Sequence, residues 1–308
     1  EAEIEAHARA GARLVALSDP DYPPHLKHID GPPPLLSVIG GKAIARERML
    51  AVVGARNASL SGRKLARMFA GDLGAEGFAI ASGLARGIDA AAHEAAIATG
   101  TVAVFAGGID VLYPPEHNRL LGALLEAGGA AISEMPFGLK PRGRDFPRRN
   151  RLISGLSLGV IVIEAARASG SLHTARYALE QNREIFAVPG SPLDPRSEGA
   201  NGLIRQGASL VASSRDVLET LAGRMEPVLP LVPRDLRESD RRAPSTELEP
   251  DTGLREKILA ALGPTPVDLD ELIRFSDAEA RSVNVILLEL ELAGRIERHR
   301  GNKISLLL

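Results

Sequence analysis

The sequence predicts a doubly wound α/β fold, in which helices cover both faces of a parallel sheet. Two observations lead to this prediction. Short and nearly all-apolar runs recur along the chain, with Val160–Ile163 as the clearest case, and such runs are typical of strands that are buried on both faces. Segments with the apolar spacing of helices lie between these runs. In this architecture, ligands bind beyond the carboxyl ends of the strands.

The alternation of strands and helices can be followed through the middle of the chain. Strands are expected at Ala51–Gly54, Phe78–Ser82, Thr101–Ala106, Ala130–Glu134, Gly159–Glu164, Ile185–Pro189 and Ser209–Val211. Helices are expected between them at Gly62–Glu76, Ile88–Ala98, Glu116–Ala127 and Leu172–Asn182. We therefore expect a sheet domain that extends over residues 46–222.

The segments on either side of this domain differ from it in composition. Residues 1–45 are expected to form one short helix and a proline-rich connector that packs on the sheet domain. Residues 223–252 hold five prolines and are expected to form a linker. Residues 253–308 contain three helical segments followed by a hairpin, which is typical of a winged helix domain.

Composition narrows the classes of function. The chain has 308 residues, a net charge of −2 and no cysteine, which excludes a disulfide scaffold, a thiol nucleophile and a thiolate zinc site. No apolar run approaches the ~18 residues of a membrane-spanning helix, so we expect no membrane insertion. The lack of cysteine fits a reducing compartment, so we expect a cytoplasmic location. Because the overall charge does not favour nucleic acid, any such binding depends on local clustering of cations.

Turns rich in small residues follow five of the predicted strands, at the edge where parallel strands end. Glycine lets backbone N–H groups approach an anion, and a following helix N-terminus adds partial positive charge. Doubly wound sheets need small residues at such turns in any case, but five on one edge favour a rim that binds several phosphates. The candidate residues in these turns are Gly54, Arg56, Ser82, Gly83, Arg86, Gly87, Ser169, Gly170, Ser171 and Thr174.

A basic segment, residues 139–151, lies between two of these strands. It holds six cations, one anion and Phe146, one of seven phenylalanines in the chain. Arginines that neutralise phosphates beside an aromatic ring that stacks on a base are typical of single-stranded nucleic-acid binding. The alternative is a solvated basic loop whose Phe146 packs inward. Pro141 and Gly143, which precede Phe146, predict a loop that reaches over the strand ends. The candidate binding residues are Lys140, Arg144, Phe146, Arg148, Arg149 and Asn150.

Motifs for cofactors and catalysis are weak or missing in the sequence. Neither G-x-G-x-x-G after the first predicted strand nor a Walker A motif is present, so we expect no nicotinamide or flavin cofactor and no ATP hydrolysis. Asp89 and His93 share one helix face, and Asp110, Glu134 and Glu164 end or follow strands, so an acid–base or metal site is an alternative. Asp89 also suits a first helical turn. We expect no catalytic and no metal-binding residues.

In its motifs the chain resembles the DNA-processing protein A family, also called DprA or Smf. The resemblance extends over residues 16–222 and rests on Val52–Arg56, Ser82–Asp89, Asp110–Pro114, Ser133–Pro136, Phe146–Ser157, Ser169–Ala175, Ala187–Gly190 and Gly199–Ile204. It implies an extended Rossmann-like domain that binds single-stranded DNA without sequence preference. It also implies a homodimer that loads the RecA recombinase onto incoming strands during natural transformation. The winged helix domain occurs in part of this family.

The resemblance also implies roles for single residues. Those that it assigns to phosphate contact or, for the aromatic ring, to base stacking are Gly54, Arg56, Ser82–Gly87, Arg149 and Phe146. Ala55 stands where the family commonly has serine, which removes a hydroxyl donor but keeps the backbone N–H. Ala106 replaces the first glycine of a family turn, so that this turn is expected to approach DNA less closely.

Two other functions are alternatives. Related sheets with glycine-rich helix openings hydrolyse nucleoside monophosphates, which makes a nucleotide-hydrolysing enzyme the first alternative. The winged helix domain makes a transcription regulator the second. Its third-helix segment, residues 277–284, has one cation against two anions, which is poor for reading duplex DNA.

Overall fold

A sheet of nine strands runs through the longest of the ranges that the computed structural model describes, which are residues 2–225, 252–263, 266–299 and 303–307. Its strands are β1 (Ala12–Ala16), β2 (Leu35–Gly40), β3 (Met49–Gly54), β4 (Ala79–Ser82), β5 (Thr101–Val104), β6 (Ala130–Ser133), β7 (Gly159–Ile163), β8 (Glu184–Ala187) and β9 (Ser209–Leu210). Across the sheet their order is β1-β2-β6-β5-β4-β3-β7-β8-β9. The strands from β3 to β9 pair in parallel, and all the predicted strands are present.

Helices cover both faces of this sheet. Those of the first unit, residues 1–229, are α1 (Ala2–Arg9), α2 (Leu60–Ala75), α3 (Ile88–Ala96), α4 (Asn118–Glu126), α5 (Asp145–Gly155), α6 (Ser171–Glu180), α7 (Glu198–Arg205) and α8 (Ser214–Met225). Helices α5 and α6 pack on one face, while α2, α3 and α8 pack on the other. Because side chains alternate along a strand, Val52 of β3 enters one core and Val53 the other. The doubly wound fold class is therefore confirmed.

The strand order reverses next to β3. Strands β4, β5 and β6 follow on one side of it, and β7, β8 and β9 follow on the other. The connections that leave β3 and β7 therefore begin side by side. A reversal of this kind opens a crevice beyond the carboxyl ends of the strands, where ligands bind in this fold class.

The N-terminal segment departs from the prediction, because it adds two strands to the sheet. Strand β2 pairs antiparallel with β6, and β1 pairs antiparallel with β2. A helix followed by a connector is therefore the wrong prediction for residues 12–16 and 35–40. Between the two strands, Tyr22 is buried, and its hydroxyl donates a hydrogen bond to the Pro33 carbonyl oxygen (2.8 Å). The added strands cover an edge of β6 that would otherwise present unpaired backbone groups.

The basic segment also departs from the prediction, because part of it is helical. Helix α5 begins at Asp145, whose carboxylate accepts a hydrogen bond from the backbone N–H of Arg142 (2.7 Å). Pro147 lies in the first turn, where a helix tolerates a missing N–H. The predicted loop is therefore wrong from Asp145 onward. The apolar spacing that normally indicates a helix is incomplete in this segment, because the polar side chains of Arg149 and Asn150 occupy buried positions.

The second unit, residues 230–308, has the architecture of a winged helix domain in its described part. Its elements are α9 (Thr252–Ala261), β10 (Val267–Asp268), α10 (Leu269–Ser276), α11 (Ala280–Leu292), β11 (Ile296–His299) and β12 (Lys303–Leu306). Strands β11 and β12 form the predicted hairpin, and β10 pairs with β12. Residues 226–251, most of the predicted linker, lie outside the described residues.

Among the helices of the described ranges, none combines the length and apolar character needed to cross a bilayer.

Truncation of Leu36 to alanine is expected to destabilise the protein. Leu36 is fully buried in β2, and loss of a buried leucine side chain costs about 2–5 kcal/mol. Leu35→Ala is the matched control, because the neighbouring Leu35 is 45% exposed and its truncation should cost much less. Equilibrium unfolding in urea measures both values. Equal stability of the two variants would contradict the burial of β2.

Candidate nucleic-acid interface

A cleft of about 680 Å³ opens where the strand order reverses. Its walls come from the connections after β3 and β7 and from the first turns of α5 and α6. We call it the switch-point cleft, and its lining includes Gly54, Ala55, Arg56, Asn57, Asp89, Phe146, Arg149, Asn150, Ser169, Gly170, Ser171 and Thr174. The fold thus brings together predicted candidates from three separate stretches of the chain. The predicted candidates that do not line this cleft are Ser82, Gly83, Arg86, Gly87, Lys140, Arg144 and Arg148.

Two glycines allow the backbone contacts that shape the walls. A Cβ atom at Gly54 would overlap the carbonyl oxygen of Ile163, so β3 and β7 approach too closely for a side chain at this point. Gly87 has a φ of 78°, and a Cβ atom there would overlap the carbonyl oxygen of Ala55. Close packing of the turns is therefore sufficient to explain why both positions are glycine.

Arg56 and Phe146 lie together at the mouth of the cleft. The guanidinium carbon of Arg56 is 5.2 Å from the centroid of the Phe146 ring, which is within the range of cation–π attraction. Tyr113, which is 52% exposed, contacts the same ring edge-on with the centroids 5.5 Å apart. Phe146 is half-buried and belongs to none of the apolar cores of the described residues.

Tyr113 belongs to this site but is not among the residues that the sequence predicts for it. The available signal was its rarity, since the chain has three tyrosines. Its contact with Phe146 joins two distant stretches of the chain, and no periodicity in the sequence indicates such a contact.

Arg149, for which the sequence predicts a phosphate contact, is not exposed at the surface. Its side chain is buried, and the guanidinium donates hydrogen bonds to the carbonyl oxygens of Gly83 (2.7 Å) and Val104. A Cβ atom at Gly83 would lie 2.6 Å from this guanidinium, so Gly83 leaves the space that Arg149 fills. Burial lowers the pKa of Arg149 to about 10. Arg149 therefore ties α5 to the ends of β4 and β5, and its predicted contact with phosphate stays a prediction.

Asp89, in the first turn of α3, provides the opposite charge for this guanidinium. Its carboxylate accepts hydrogen bonds from the backbone N–H groups of Gly83 (3.1 Å) and Ala85 (3.4 Å). Burial raises the pKa of Asp89, and the positive charge of Arg149 opposes this rise. Asp89 and Arg149 thus hold the turn after β4 from two sides.

Apart from Ser169, which is partly buried, the other predicted polar residues divide into a buried and an exposed group. The buried ones are Ser82, Asn150, Ser171 and Thr174. Ser82 donates a hydrogen bond to the Val52 carbonyl oxygen (2.6 Å), and Asn150 donates one to the Gly170 carbonyl oxygen (3.1 Å). The side chains of Ser82 and Asn150 therefore hold the fold together beneath the rim.

The exposed group consists of cations. Its members are Arg56, Arg86, Lys140, Arg144 and Arg148. Two of them have carboxylate partners, because Arg86 forms an ion pair with Glu116, and Arg148 lies 3.2 Å from the carboxylate of Glu134. Arg86 and Glu116 are both exposed, and such a pair contributes about 0–1 kcal/mol, so Arg86 remains available to a stronger anion. The side chain of Glu134 is buried and also forms an ion pair with Arg151.

The N-terminus of α6 opens on the switch-point cleft. Gly170 precedes its first turn without a side-chain cap, and a Cβ atom built at Gly170 meets no atom within 4 Å. The hydroxyl oxygens of Ser169 and Ser171 lie 2.7 Å apart beside it. A helix N-terminus carries partial positive charge and favours anions. Hydroxyl groups and the helix dipole therefore add to the cations of the rim.

The carboxylates and the histidine considered as catalytic candidates make structural contacts. Glu164 accepts hydrogen bonds from the backbone N–H (2.8 Å) and the hydroxyl of Ser59. Asp110 accepts one from the backbone N–H of Gly138 (2.7 Å). His93 is fully buried, which lowers its pKa to about 3. In the part of the chain that the structure describes, no group of three His, Cys, Asp or Glu residues is arranged to hold a metal ion.

Family models match both units of the chain. The model described as DNA recombination-mediator protein A matches residues 13–222, which include the switch-point cleft. The model described as DprA winged helix domain matches residues 242–302. Over 296 residues the chain is 41% identical to Protein Smf of Escherichia coli (strain K12), a match that covers 95% of this chain and 77% of that protein.

Two solved structures extend the similarity to the fold. The X-ray structure of DNA processing protein A from Streptococcus pneumoniae has 40% identity and a TM-score of 0.63, with 70% of this chain and 77% of that chain covered. A structure of DNA processing protein A from Helicobacter pylori, described for its single-stranded DNA binding mode, has 26% identity and a TM-score of 0.62, with 69% and 97% covered. These matches confirm the Rossmann-like fold class, and together with the family models they show that the chain belongs to the DNA recombination-mediator protein A family, also called DprA or Smf.

Proposed function

We propose that the switch-point cleft and its basic rim bind single-stranded DNA. The observation that carries this proposal is the pair formed by Arg56 and Phe146, a cation and an aromatic ring 5.2 Å apart at the mouth of the cleft. A nucleotide offers the two matching groups, an anionic phosphate and a planar base. The single-stranded DNA binding of the Helicobacter pylori relative supports the same ligand for this chain.

The cations contact the phosphates of the strand, and the aromatic ring contacts one of its bases. Arg56, Arg86, Lys140 and Arg144 neutralise phosphates, and the N-terminus of α6 receives a further phosphate oxygen. Phe146 stacks on a base, which every base permits because each has a π-face. Contacts to phosphate fix the position of a strand but do not read its sequence. We therefore expect binding without sequence preference.

Arg149 and Asp89 act as positioning residues in this proposal. Arg149 fixes α5, which carries Phe146, and Asp89 fixes the turn that carries Arg86. Because both groups make hydrogen bonds within the fold, their substitution should change stability first and DNA affinity as a consequence.

We further propose that the chain works as a cytoplasmic homodimer that loads RecA onto incoming single strands during natural transformation, and that it is not an enzyme. Membership of the recombination-mediator family supports this role. The rate at which RecA forms filaments on single-stranded DNA, measured with and without the chain, tests the loading step. Sedimentation analysis tests the dimer.

The two alternatives gain less support from the described residues. The carboxylates considered for nucleotide hydrolysis make hydrogen bonds within the fold. The transcription regulator needs a polar recognition helix, but Val285, Leu288 and Leu292 are exposed on α11. Release of base or phosphate from nucleoside monophosphates would favour the enzyme, and sequence-specific duplex binding would favour the regulator.

The Phe146→Leu variant is expected to bind single-stranded DNA more weakly by about 1–3 kcal/mol, the range for loss of one base–aromatic stack. Its stability should change little, because leucine keeps most of the apolar volume. Phe275→Leu is the matched control, since Phe275 is 60% exposed on α10 in the other unit. Fluorescence anisotropy with a labelled oligothymidylate measures affinity, and thermal melting measures stability. A lower melting temperature with unchanged affinity would place Phe146 outside the site.

The Arg149→Ala variant is expected to lose about 3–5 kcal/mol of stability at neutral pH, because Asp89 is left as an unpaired buried charge. Burial already raises the pKa of Asp89, and loss of Arg149 removes the charge that opposes this rise. The folded variant then binds a proton more tightly than the unfolded chain does. Its stability should therefore increase as the pH falls through the folded-state pKa, and the gain is complete below the unfolded-state value.

The double variant Asp89→Asn, Arg149→Ala is the control for this pH dependence. It has neither of the two buried charges, so its stability should vary much less between neutral and mildly acidic pH. Urea unfolding of both variants at several pH values makes the comparison. A loss in Arg149→Ala that does not change with pH would show that Asp89 is not the group left unpaired.

A further inference from the structure

A second basic cleft lies between helices α2 and α3, beside the switch-point cleft. It encloses about 530 Å³, and we call it the helix cleft. Its lining consists of Arg56, Asn57, Arg63, Arg67, Arg86, Gly87, Ala90, Ala91, Glu94 and His117. Arg56 and Asn57 also line the switch-point cleft. The two clefts are therefore neighbours that share one wall.

Helix spacing places two further arginines in this cleft. Arg63 and Arg67 are four positions apart on α2, so they lie on the same face of that helix. Both side chains are exposed. The facing surface of α3 is formed by the small residues Ala90 and Ala91, which leave room beside the guanidinium groups.

The charge of the helix cleft favours an anion. Four arginines line it against one carboxylate, that of Glu94. Arg67 lies 2.8 Å from Glu94, and both side chains are about half exposed, so the pair contributes little to stability and its arginine can contact a phosphate instead. Among the residues that the structure describes, no carboxylate forms an ion pair with Arg63.

The lining also indicates which part of a nucleotide fits. Apart from the ring of His117, it contains no aromatic and no large aliphatic side chain, so it offers little surface on which a base could stack. The ring of His117 is held by the Leu84 carbonyl oxygen, 2.8 Å from its Nδ1. Guanidinium groups without a stacking surface match a sugar–phosphate backbone rather than a base.

We propose that the helix cleft is a second phosphate-binding segment for the same single strand, with Arg63 and Arg67 as its contacts. The backbone passes from the base at Phe146 over Arg56, which lines both clefts, and continues between α2 and α3. This inference rests on the proposed single-stranded DNA binding at the switch-point cleft. It adds two arginines that neither the predicted site nor the switch-point cleft includes.

Oligothymidylates of increasing length test the proposal with the full chain. The double variant Arg63→Ala, Arg67→Ala should bind the shortest oligomers as the parent does, because these occupy the switch-point cleft alone. With long oligomers it should bind more weakly. Its salt dependence should flatten by about 1.4 log units per log unit of salt, since each phosphate neutralised on a single strand contributes ~0.7.

The control variant is Lys64→Ala, Arg215→Ala, which removes the same number of positive charges. Lys64 is exposed on α2 but does not line the helix cleft, and Arg215 is 84% exposed on α8. Unchanged binding of this variant separates a local contact from a general loss of charge. Circular dichroism checks that both double variants are folded.

Four outcomes would overturn the proposal. Unchanged affinity and salt dependence with long oligomers would remove Arg63 and Arg67 from the path of the strand. Equal loss with short and long oligomers would show that they do not form a separate segment. Weaker binding of inorganic phosphate by the variant, with unchanged oligomer binding, would assign the helix cleft to a free anion. Weaker binding in Arg56→Ala and Phe146→Leu with no effect of the helix-cleft variant would leave the proposed function intact and reject this inference alone.

Discussion

The buried guanidinium group of Arg149 fixes the positions of the helices and the turn around the switch-point cleft. A charged group inside a protein costs several kcal/mol unless its hydrogen bonds and its charge are satisfied. Arg149 meets both needs through carbonyl oxygens at the ends of β4 and β5 and through the nearby charge of Asp89. A small displacement of α3 or α5 would break this arrangement. The two helices and the turn at Gly83 therefore keep one relative position.

The exposed residues of the site are positioned by these buried residues. Phe146 lies three positions before Arg149 on α5, a spacing that puts two side chains on neighbouring surface of one helix. The hydrogen bonds of Arg149 thus determine where the Phe146 ring stands, and the ring in turn contacts Arg56 and Tyr113. Groups that contact a ligand are in this way held by groups beneath them, which is the usual basis of a preorganised site.

The extent to which each element is buried explains whether the sequence predicts it correctly. Strands β3 to β8 carry almost uninterrupted apolar runs because helices cover both faces, and the position of the cleft follows from the ends of those strands. Strands β1 and β2 have partly exposed positions, and the prolines before β2 favour a connector. In the basic segment, the residue types alone suggest that every cationic side chain is exposed to solvent. The burial of Arg149 depends on Asp89, which is distant in the sequence and close only in the fold.

Phe146 stands in the first turn of a helix, next to Pro147, and not on a free loop. A helical backbone permits few side-chain rotamers, and contacts with Arg56 and Tyr113 restrict the ring further. The ring therefore gives up little conformational entropy when a base stacks on it, and most of the ordering cost falls on the nucleic acid. A strand whose bases stack strongly on one another must first unstack. Small differences in affinity between sequences would then report the stiffness of the DNA rather than recognition by the protein.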